Sequence, residues 1–399
     1  MVIFFLPLLF FVFKMKIAIV HDWLTGMRGG EKCLEVLCEL YPSADLFTLL
    51  YIPGSVSPII ESCSIHTSFL QNLPFIESKY RYYLPLMPFA IESFNLNKYD
   101  LILSSSHCVA KSVKPGPGSI HICYCHTPMR YIWDQFDQYF CRSKSGLIPW
   151  AIMRILRPWF QRWDSKTSCR VDDYIANSHH VQKRIKKYYQ KEATVIHPPV
   201  DTKRFKSSGE RKNDYFLIVS AFAPYKRVDL AVEAFNKLGY PFVVIGEGQD
   251  ADSLRRMANP NVHFKGWLDD FSISNHYACC RAFVFCGEED FGISLLEAQA
   301  TGRPVIALGR GGALETVIPD RKTWKPDTGI PENNTINPTG VFFYEQTSED
   351  LIKAVQYFES VESQFDAEKI QEHAAQFDVA VYRDRIKKFI EERLQRHRC

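Results

Sequence analysis

The sequence predicts an α/β protein built from two doubly wound parallel-sheet domains of Rossmann-like architecture. Short apolar runs alternate with amphipathic stretches of helical length, which is typical of βαβ units. This alternation runs twice, and a polar stretch without apolar periodicity, 207–214, separates the two runs. The length of 399 residues suits two domains of ordinary size.

The predicted strands are short runs rich in β-branched and aromatic residues. They cover 16–21, 44–50, 99–105, 119–125, 173–177, 193–197, 215–221, 241–246, 262–266, 282–286 and 303–308. Apolar residues at helical spacing predict helices over 30–40, 179–189, 227–238, 250–257 and 293–301. Strands separated by helices in this way favour parallel sheets.

These elements define an N-terminal domain at 15–206, a C-terminal domain at 212–378 and a basic helical segment at 379–399. A stretch rich in Pro and Asn, 319–339, is expected to be a surface loop. Residues 1–14 are almost wholly apolar, but they are shorter than the ~20 residues that a membrane-spanning helix needs. We expect translation to start at Met15, and a short membrane-dipping segment is the alternative.

The charge balance gives no reason to expect a nucleic-acid partner. The chain has 48 basic and 45 acidic residues, so a charged ligand must be bound by a local patch. The 12 cysteines are scattered and several lie in apolar runs, which indicates free, buried thiols. His121, Cys123 and Cys125 alternate along a predicted strand, and a metal site there is the alternative to a buried structural cluster. We expect no metal.

Two carboxylates frame the turn from a predicted strand into a helix. Glu289 lies at the mouth of this turn and Glu297 lies two helical turns later. Ligands of open α/β sheets bind at the carboxyl ends of the strands, where a carboxylate can accept hydrogen bonds from sugar hydroxyls. The amides of Gly292, Ile293 and Ser294 open the helix and can face a phosphate. An acidic helix start favoured by the macrodipole is the structural alternative.

Two further loops have features of anion sites. Gly311 and Gly312 lie in a glycine-rich turn one βα unit later, and such turns offer backbone amides to an anion. Lys226 and Arg227 stand at a helix start, where the macrodipole disfavours cations. A bound phosphate would explain this placement, and solvated surface bases are the alternative.

The stretch EEDFGISLLEAQATGRPVIALGRGGALETV resembles the donor signature of the retaining glycosyltransferases of family 4, which have the GT-B fold. The resemblance covers the chain from Met15 onward and implies two Rossmann-like domains that face a central cleft. It implies that Glu289 binds the donor sugar, Glu297 the nucleotide ribose and Lys226 the diphosphate. Many members carry an arginine five residues before this lysine, where this chain has Ala221.

The N-terminal half supports the same resemblance. The pair Gly29 and Gly30 follows the first strand and matches the glycines that approach the donor diphosphate in the family. His126, in the run YCHTPMRYIWD, matches the family's active-site histidine, and a satisfied structural histidine is the alternative.

The runs YKRVDLAVEAF and CHTPMRY resemble a mannosyltransferase branch that uses GDP-mannose. The resemblance therefore implies retaining transfer of mannose from GDP-mannose to a saccharide acceptor in surface polysaccharide synthesis. No acidic D-x-D metal motif is evident near the three loops, so we expect the reaction to need neither a metal nor a bound cofactor. Another nucleotide sugar such as UDP-glucose is one alternative, and a non-catalytic, membrane-associated sugar-binding protein is another.

Tryptophans and bases are interleaved in 142–170, as in segments that lie at an anionic membrane surface. This pattern predicts a cytoplasmic protein on the inner face of the membrane, with a lipid-linked acceptor. A helix pair broken by Pro158 and packed in the domain is the alternative. The tryptophans and bases are Trp150, Trp159, Trp163, Arg142, Lys144, Arg154, Arg157, Arg162, Lys166 and Arg170.

Overall fold

The computed structural model describes residues 15–140, 146–205, 213–329 and 337–397. The chain divides into two compact units: unit 1 holds the described residues up to Pro198 and those from Arg383 onward, and unit 2 runs from Pro199 to Tyr382. The boundary thus falls a few residues before the predicted 206–212, which lies outside the described residues, as do 1–14. Most of the predicted C-terminal helical segment belongs to unit 1.

Unit 1 is built on a parallel sheet of seven described strands in the order β3-β2-β1-β4-β5-β6-β7. The strands are β1 (Ile17–His21), β2 (Asp45–Thr48), β3 (Ser64–Thr67), β4 (Leu101–Ser106), β5 (Ile120–Cys125), β6 (Asp173–Ala176) and β7 (Ala193–Val195).

The unit 1 helices of the described chain are α1 (Gly29–Leu40), α2 (Pro58–Glu61), α3 (Ile76–Lys79), α4 (Met87–Glu92), α5 (Phe136–Tyr139), α6 (Leu147–Thr167) and α7 (His179–Tyr189). Helix α15 (Val379–Arg396) begins in unit 2 and continues into unit 1. Short 3₁₀ turns cover Phe69–Asn72, Tyr80–Leu86, Ala110–Ser112 and Ser168–Arg170.

Unit 2 has a second parallel sheet, of six described strands in the order β10-β9-β8-β11-β12-β13. The strands are β8 (Phe216–Val219), β9 (Phe242–Ile245), β10 (Val262–Gly266), β11 (Phe283–Phe285), β12 (Val305–Leu308) and β13 (Gly340–Phe343). Its helices are α8 (Val228–Leu238), α9 (Ala251–Met257), α10 (Asp270–Cys279), α11 (Ile293–Ala300), α12 (Ala313–Thr316), α13 (Ser348–Val361) and α14 (Ala367–Ala375), with 3₁₀ turns at Pro224–Lys226, Pro326–Thr328 and Glu362–Gln364.

Both sheets confirm the predicted Rossmann-like class. Strands such as β1 and β9 are buried at every position, because helices cover both faces of each sheet. In each sheet the strand order reverses once, between β1 and β4 in unit 1 and between β8 and β11 in unit 2. Ligands of doubly wound sheets bind at the carboxyl ends of the strands at such a switch point.

The predicted strands are all present, and each begins and ends within two residues of its expected bounds. The sequence missed β3 and β13, which are four residues long. β3 is an exposed edge strand without an apolar face, and β13 directly follows the predicted surface loop 319–339. Part of that loop is held in place, since the buried Asp320 accepts a hydrogen bond of 2.5 Å from Tyr357.

Helix α6 contradicts one part of the alternative interpretation of 142–170, in which Pro158 breaks the segment into two helices. The helix runs through Pro158 without interruption, and the segment's residues 142–145 lie outside the described chain. Within the part of the chain that the structure describes, no helix combines the length and apolar character that crossing a membrane requires.

Both ring nitrogens of His121 have hydrogen-bond partners within the protein, so this side chain has no nitrogen left to coordinate a metal. His121 is fully buried, its Nε2 lies 2.8 Å from the Ser104 hydroxyl and its Nδ1 lies 2.9 Å from the carbonyl oxygen of Arg170. Both ring nitrogens are therefore engaged by the protein. Among the described residues, no three His, Cys, Asp or Glu side chains are grouped as metal ligands.

His121 should make stability depend on pH. Burial lowers its pKa to about 4, whereas an unfolded histidine titrates near ~6.5. Between these values the unfolded chain binds a proton that the folded chain does not, so stability falls as the pH falls. The loss should reach about 3 kcal/mol by pH 4. Urea unfolding of the wild type and His121→Gln should show a stability difference that narrows between pH 7 and pH 4. A difference independent of pH would contradict this coupling.

Candidate active site

Three side chains are joined by hydrogen bonds at the carboxyl ends of β1, β4 and β5, beside the switch point of unit 1. Nδ1 of His21 lies 3.1 Å from Oγ of Ser105, and this oxygen lies 2.9 Å from Nε2 of His126. The His126 amide donates to the Ser106 carbonyl at 2.8 Å, which fixes where the chain leaves the sheet. Because a hydroxyl carries one proton, Ser105 can donate to one ring and must accept from the other.

Glu31, on the first turn of α1, gives this chain of hydrogen bonds its direction. Its Oε1 lies 3.7 Å from Nε2 of His21, and its Oε2 accepts the Arg28 amide at 3.0 Å. Burial alone would raise the pKa of Glu31, but the contact with His21 and the charges of His21 and His107 bring it below its ordinary value. The ionised carboxylate favours a proton on Nε2 of His21.

This arrangement determines what His126 can do. When His21 is neutral and carries its proton on Nε2, Ser105 donates to Nδ1 of His21 and accepts the Nε2 proton of His126. Burial, followed by the neighbouring His107 and His21, holds the pKa of His126 well below its ordinary value, so the ring is neutral. A neutral ring protonated at Nε2 offers Nδ1 as an acceptor, which suits a hydroxyl group of a ligand.

A second buried carboxylate, Asp22, organises the loop that follows β4. It accepts the backbone amides of the four residues 107–110 at 2.6, 2.7, 2.8 and 2.9 Å. It also lies 3.1 Å from Nδ1 of His107, whose ring stacks edge-on against Trp23 at 4.5 Å. Each of these amides donates to an ionised carboxylate, and such charge-assisted hydrogen bonds are stronger than bonds between neutral groups. They give this loop a defined shape at the switch point.

Gly30 keeps the space next to His126 open. A Cβ atom at this position would lie 3.6 Å from Nε2 of His126 and 3.7 Å from Cε1 of His21, at ordinary contact distance. A side chain could therefore be accommodated by the fold and would fill the space beside both rings. Gly29 is the first residue of the same helix.

Lys226 and Glu289 meet at the switch point of unit 2. Lys226 ends the 3₁₀ turn that follows β8, and Glu289 lies in the loop that follows β11. Nζ of the lysine lies 2.6 Å from Oε1 of the glutamate, with the two side chains 20% and 14% exposed. The structure thus brings together two of the predicted catalytic residues as a partly exposed ion pair.

The glycines near this pair allow the loops to approach one another. A Cβ at Gly311 would lie 2.4 Å from the Glu289 carbonyl oxygen, and one at Gly312 would lie 2.2 Å from Cα of Phe291. The Gly312 amide donates to the Glu289 carbonyl at 2.8 Å. In this structure Gly312 therefore supports the backbone that carries Glu289, instead of presenting its amide to a ligand.

Helix α11 begins after Gly292, whose φ of 88° is in the left-handed region that favours glycine. Gly292, Ile293 and Ser294 are partly exposed, as expected for amides that face a ligand. Glu297 lies on the same helix, partly exposed, and its Oε2 is 3.4 Å from the hydroxyl of the buried Tyr277.

The guanidinium of Arg227 is paired with a neighbouring carboxylate, whereas the sequence led us to expect it near a phosphate. Arg227 has a backbone φ of 52°, and its guanidinium forms three contacts with Asp229, at 3.1, 3.2 and 3.3 Å. In this structure the half-exposed pair directs the charge of Arg227 toward Asp229.

Models of two protein families match the chain. "Glycosyltransferase Family 4" matches residues 28–204, and "Glycosyl transferases group 1" matches residues 199–377, so together they cover 28–377. The chain belongs to the glycosyltransferases that combine these two domains.

Curated relatives of this glycosyltransferase include mannosyltransferases. It is 30% identical over 189 residues to O-antigen chain mannosyltransferase C of Escherichia coli, covering 43% of this chain and 49% of that protein. It is 31% identical over 185 residues to a GDP-mannose-dependent phosphatidylinositol monomannoside mannosyltransferase of Corynebacterium glutamicum, covering 39% and 49%. The matches thus span about half the length of these relatives.

Solved structures share the fold at low identity. HepE of Anabaena in complex with UDP superposes with a TM-score of 0.65 at 16% identity, covering 95% of this chain and all of that one. Sucrose-phosphate synthase of Thermosynechococcus elongatus has a TM-score of 0.67 at 15% identity, covering 95% and 99%. These similarities show the GT-B fold of the glycosyltransferase.

The sequence predicted His126 as a site residue but not the polar side chains in its surroundings. The polar residues that were not predicted lie at spacings that match no known pattern for a site. They are Asp22, Glu31, Ser105 and His107. Their signal was weak but present, because polar residues at the ends of otherwise apolar strands mark the ligand edge of a parallel sheet.

Replacing Gly30 by alanine should separate stability from function. Alanine favours the helix by about 0.5–1 kcal/mol over glycine, and the new methyl group meets no clash. The melting temperature should therefore stay the same or rise, while glycosyl transfer falls by about tenfold or more because the methyl group occupies the space beside His126. Scanning fluorimetry and a product assay would measure the two effects. Full activity would show that this space is not used.

Proposed function

We propose that this glycosyltransferase is a retaining enzyme that transfers mannose from GDP-mannose to a lipid-linked saccharide acceptor. The observation that carries the proposal is the Lys226–Glu289 pair at the switch point of unit 2, 2.6 Å apart and partly exposed. An ammonium group suits a diphosphate, and a carboxylate suits the hydroxyls of the sugar attached to it. One pair of side chains can thus bind both parts of a nucleotide sugar.

In the proposed reaction, the bond between the anomeric carbon and the diphosphate oxygen breaks, and its electron pair stays on that oxygen. The acceptor hydroxyl forms the new bond to the anomeric carbon from the same face. Its proton passes to the departing phosphate oxygen. Lys226 stabilises the negative charge that grows on the leaving group, and such preorganised charge is a large catalytic term.

The other residues have supporting roles in the proposal. The amides of Gly292, Ile293 and Ser294 face the diphosphate at the start of α11. Glu297 accepts hydrogen bonds from the ribose hydroxyls. In unit 1, Gly29 and Gly30 leave room for the donor and Nδ1 of His126 accepts a hydroxyl of the transferred sugar. The proposed reaction requires no metal and no bound cofactor.

The proposed identities of the donor sugar and the acceptor are supported by the curated relatives. Two mannosyltransferases at about 30% identity, one named for the O-antigen chain and one for a phosphatidylinositol mannoside, support a mannosyl donor and a lipid-linked acceptor in surface polysaccharide synthesis. We place the enzyme in the cytoplasm, at the inner face of the membrane.

Donor choice can be tested by thermal stabilisation. A ligand present at a hundred times its Kd stabilises the folded state by about 2.7 kcal/mol, so GDP and GDP-mannose should raise the melting temperature. Glu297→Ala should abolish the shift, because the ribose loses its acceptor. Glu372→Ala, which removes an exposed carboxylate from the same unit, is the matched control and should shift as the wild type does.

Equal shifts with UDP and UDP-glucose would contradict the mannosyl donor and favour the alternative nucleotide sugar. Donor binding without turnover against any lipid-linked acceptor would favour a non-catalytic sugar-binding protein.

Lys226→Ala should lower the turnover number by about a hundredfold or more, because the leaving diphosphate loses its cation. Lys353→Ala, an exposed lysine on α13, is the control and should leave turnover unchanged. Steady-state kinetics with GDP-mannose would measure both, and an unchanged turnover number for Lys226→Ala would remove this residue from the leaving-group role.

A further inference from the structure

Helix α6 of unit 1 carries an apolar stripe on its outer face. Ile148, Ile152, Ile155 and Trp159 are spaced by three or four residues, so they lie on one side of the helix. Their exposed fractions are 71%, 47%, 78% and 41%. A stripe of this kind normally faces a core, and none of the residues that the structure describes covers it, which is typical of a docking surface.

The opposite face of α6 is held firmly in unit 1. Asp164 is fully buried, and its Oδ1 lies 2.9 Å from Nζ of the buried Lys111. Its Oδ2 accepts hydrogen bonds from Trp133 and Tyr189 at 2.8 and 2.9 Å. Since these groups and the buried Phe160 fix the inner face, the helix cannot roll to bury its isoleucines.

A second segment extends the apolar surface. The ring of Phe89, on α4, stacks on Trp159 with 6.1 Å between centroids. Phe89 is 59% exposed, and Phe75 and Tyr82, earlier in the same segment, are 74% and 73% exposed. We call the exposed residues of 75–89 and 147–166 the apolar platform.

The charges of the apolar platform are almost all positive. Its two segments carry one exposed acid, Glu77, and the five exposed bases Lys79, Arg81, Arg154, Arg162 and Lys166. Three of these bases lie over aromatic rings, Lys79 over Phe75, Arg81 over Tyr80 and Arg154 over Trp150. Long basic side chains around an apolar face are suited to the headgroups and acyl boundary of an anionic bilayer.

We propose that the apolar platform docks the protein on an anionic membrane, with α6 lying in the plane of the interface. The isoleucines and aromatic rings enter the acyl boundary, while the bases contact lipid phosphates. The platform refines the tryptophan-based prediction, because Trp163 is partly buried and donates to Glu92 at 2.9 Å, and Arg157 donates to the Ile132 carbonyl at 2.9 Å. The proposal extends the lipid-linked acceptor of the proposed function.

Vesicle sedimentation of the full chain tests the docking without any activity assay. The wild type should bind vesicles of phosphatidylcholine and phosphatidylglycerol, bind pure phosphatidylcholine weakly, and dissociate as NaCl is added. Ile148→Glu combined with Ile155→Glu should lower the partition coefficient by about tenfold or more. Arg162→Glu combined with Lys166→Glu should lower it by at least about fivefold.

Phe271→Glu is the matched control, because Phe271 is 77% exposed in unit 2, and it should bind as the wild type does. The substituted isoleucines touch solvent, so unchanged melting temperatures and unchanged GDP binding should accompany the loss of vesicle binding. Wild-type binding by the double isoleucine variant would overturn the proposal. The proposal would also be overturned if the wild type did not bind vesicles but formed dimers, and the double isoleucine variant formed none. A second copy of the chain would then cover the platform.

Discussion

Parallel strand order is the constraint on which the candidate active site depends. In each sheet the order reverses once, so the loops after β1 and β4, and after β8 and β11, leave neighbouring strands toward opposite faces. The gap between them is where side chains can gather without being buried by a crossover helix. His21 and Ser105 meet at the first reversal, and Lys226 and Glu289 meet at the second.

The two units use charge in different ways. In unit 1 the carboxylates of Asp22 and Glu31 are buried and hold amides and imidazoles in place. Burying a carboxylate is costly unless hydrogen bonds compensate, and Asp22 receives four backbone amides. In unit 2 the Lys226–Glu289 pair stays partly exposed. Unit 1 therefore holds a neutral imidazole, His126, in a hydrogen-bonded network, and unit 2 holds a partly exposed ion pair.

Helix α6 shows how one element can serve the fold and a surface together. A buried ion pair is weak evidence for stability, since desolvation offsets much of its attraction. Asp164 nevertheless has partners for both oxygens, and this network specifies which face of α6 points inward. The outward face is then free to be apolar, and Pro158 sits on it without breaking the helix.

The sequence by itself determined the class of fold and most strands, because these depend on periodicity within each βα unit. It indicated His126, Lys226, Glu289 and Glu297 as site residues through their resemblance to a family. Strand order, the ion pair of Lys226 with Glu289, and the link from Glu31 to His126 were decided by tertiary structure. These contacts join residues tens of positions apart, and no local rule states which strand tips will be neighbours. Arg227 is a different case, because its pairing with Asp229 joins residues two positions apart and depends on the left-handed backbone of the local turn, which the sequence did not predict.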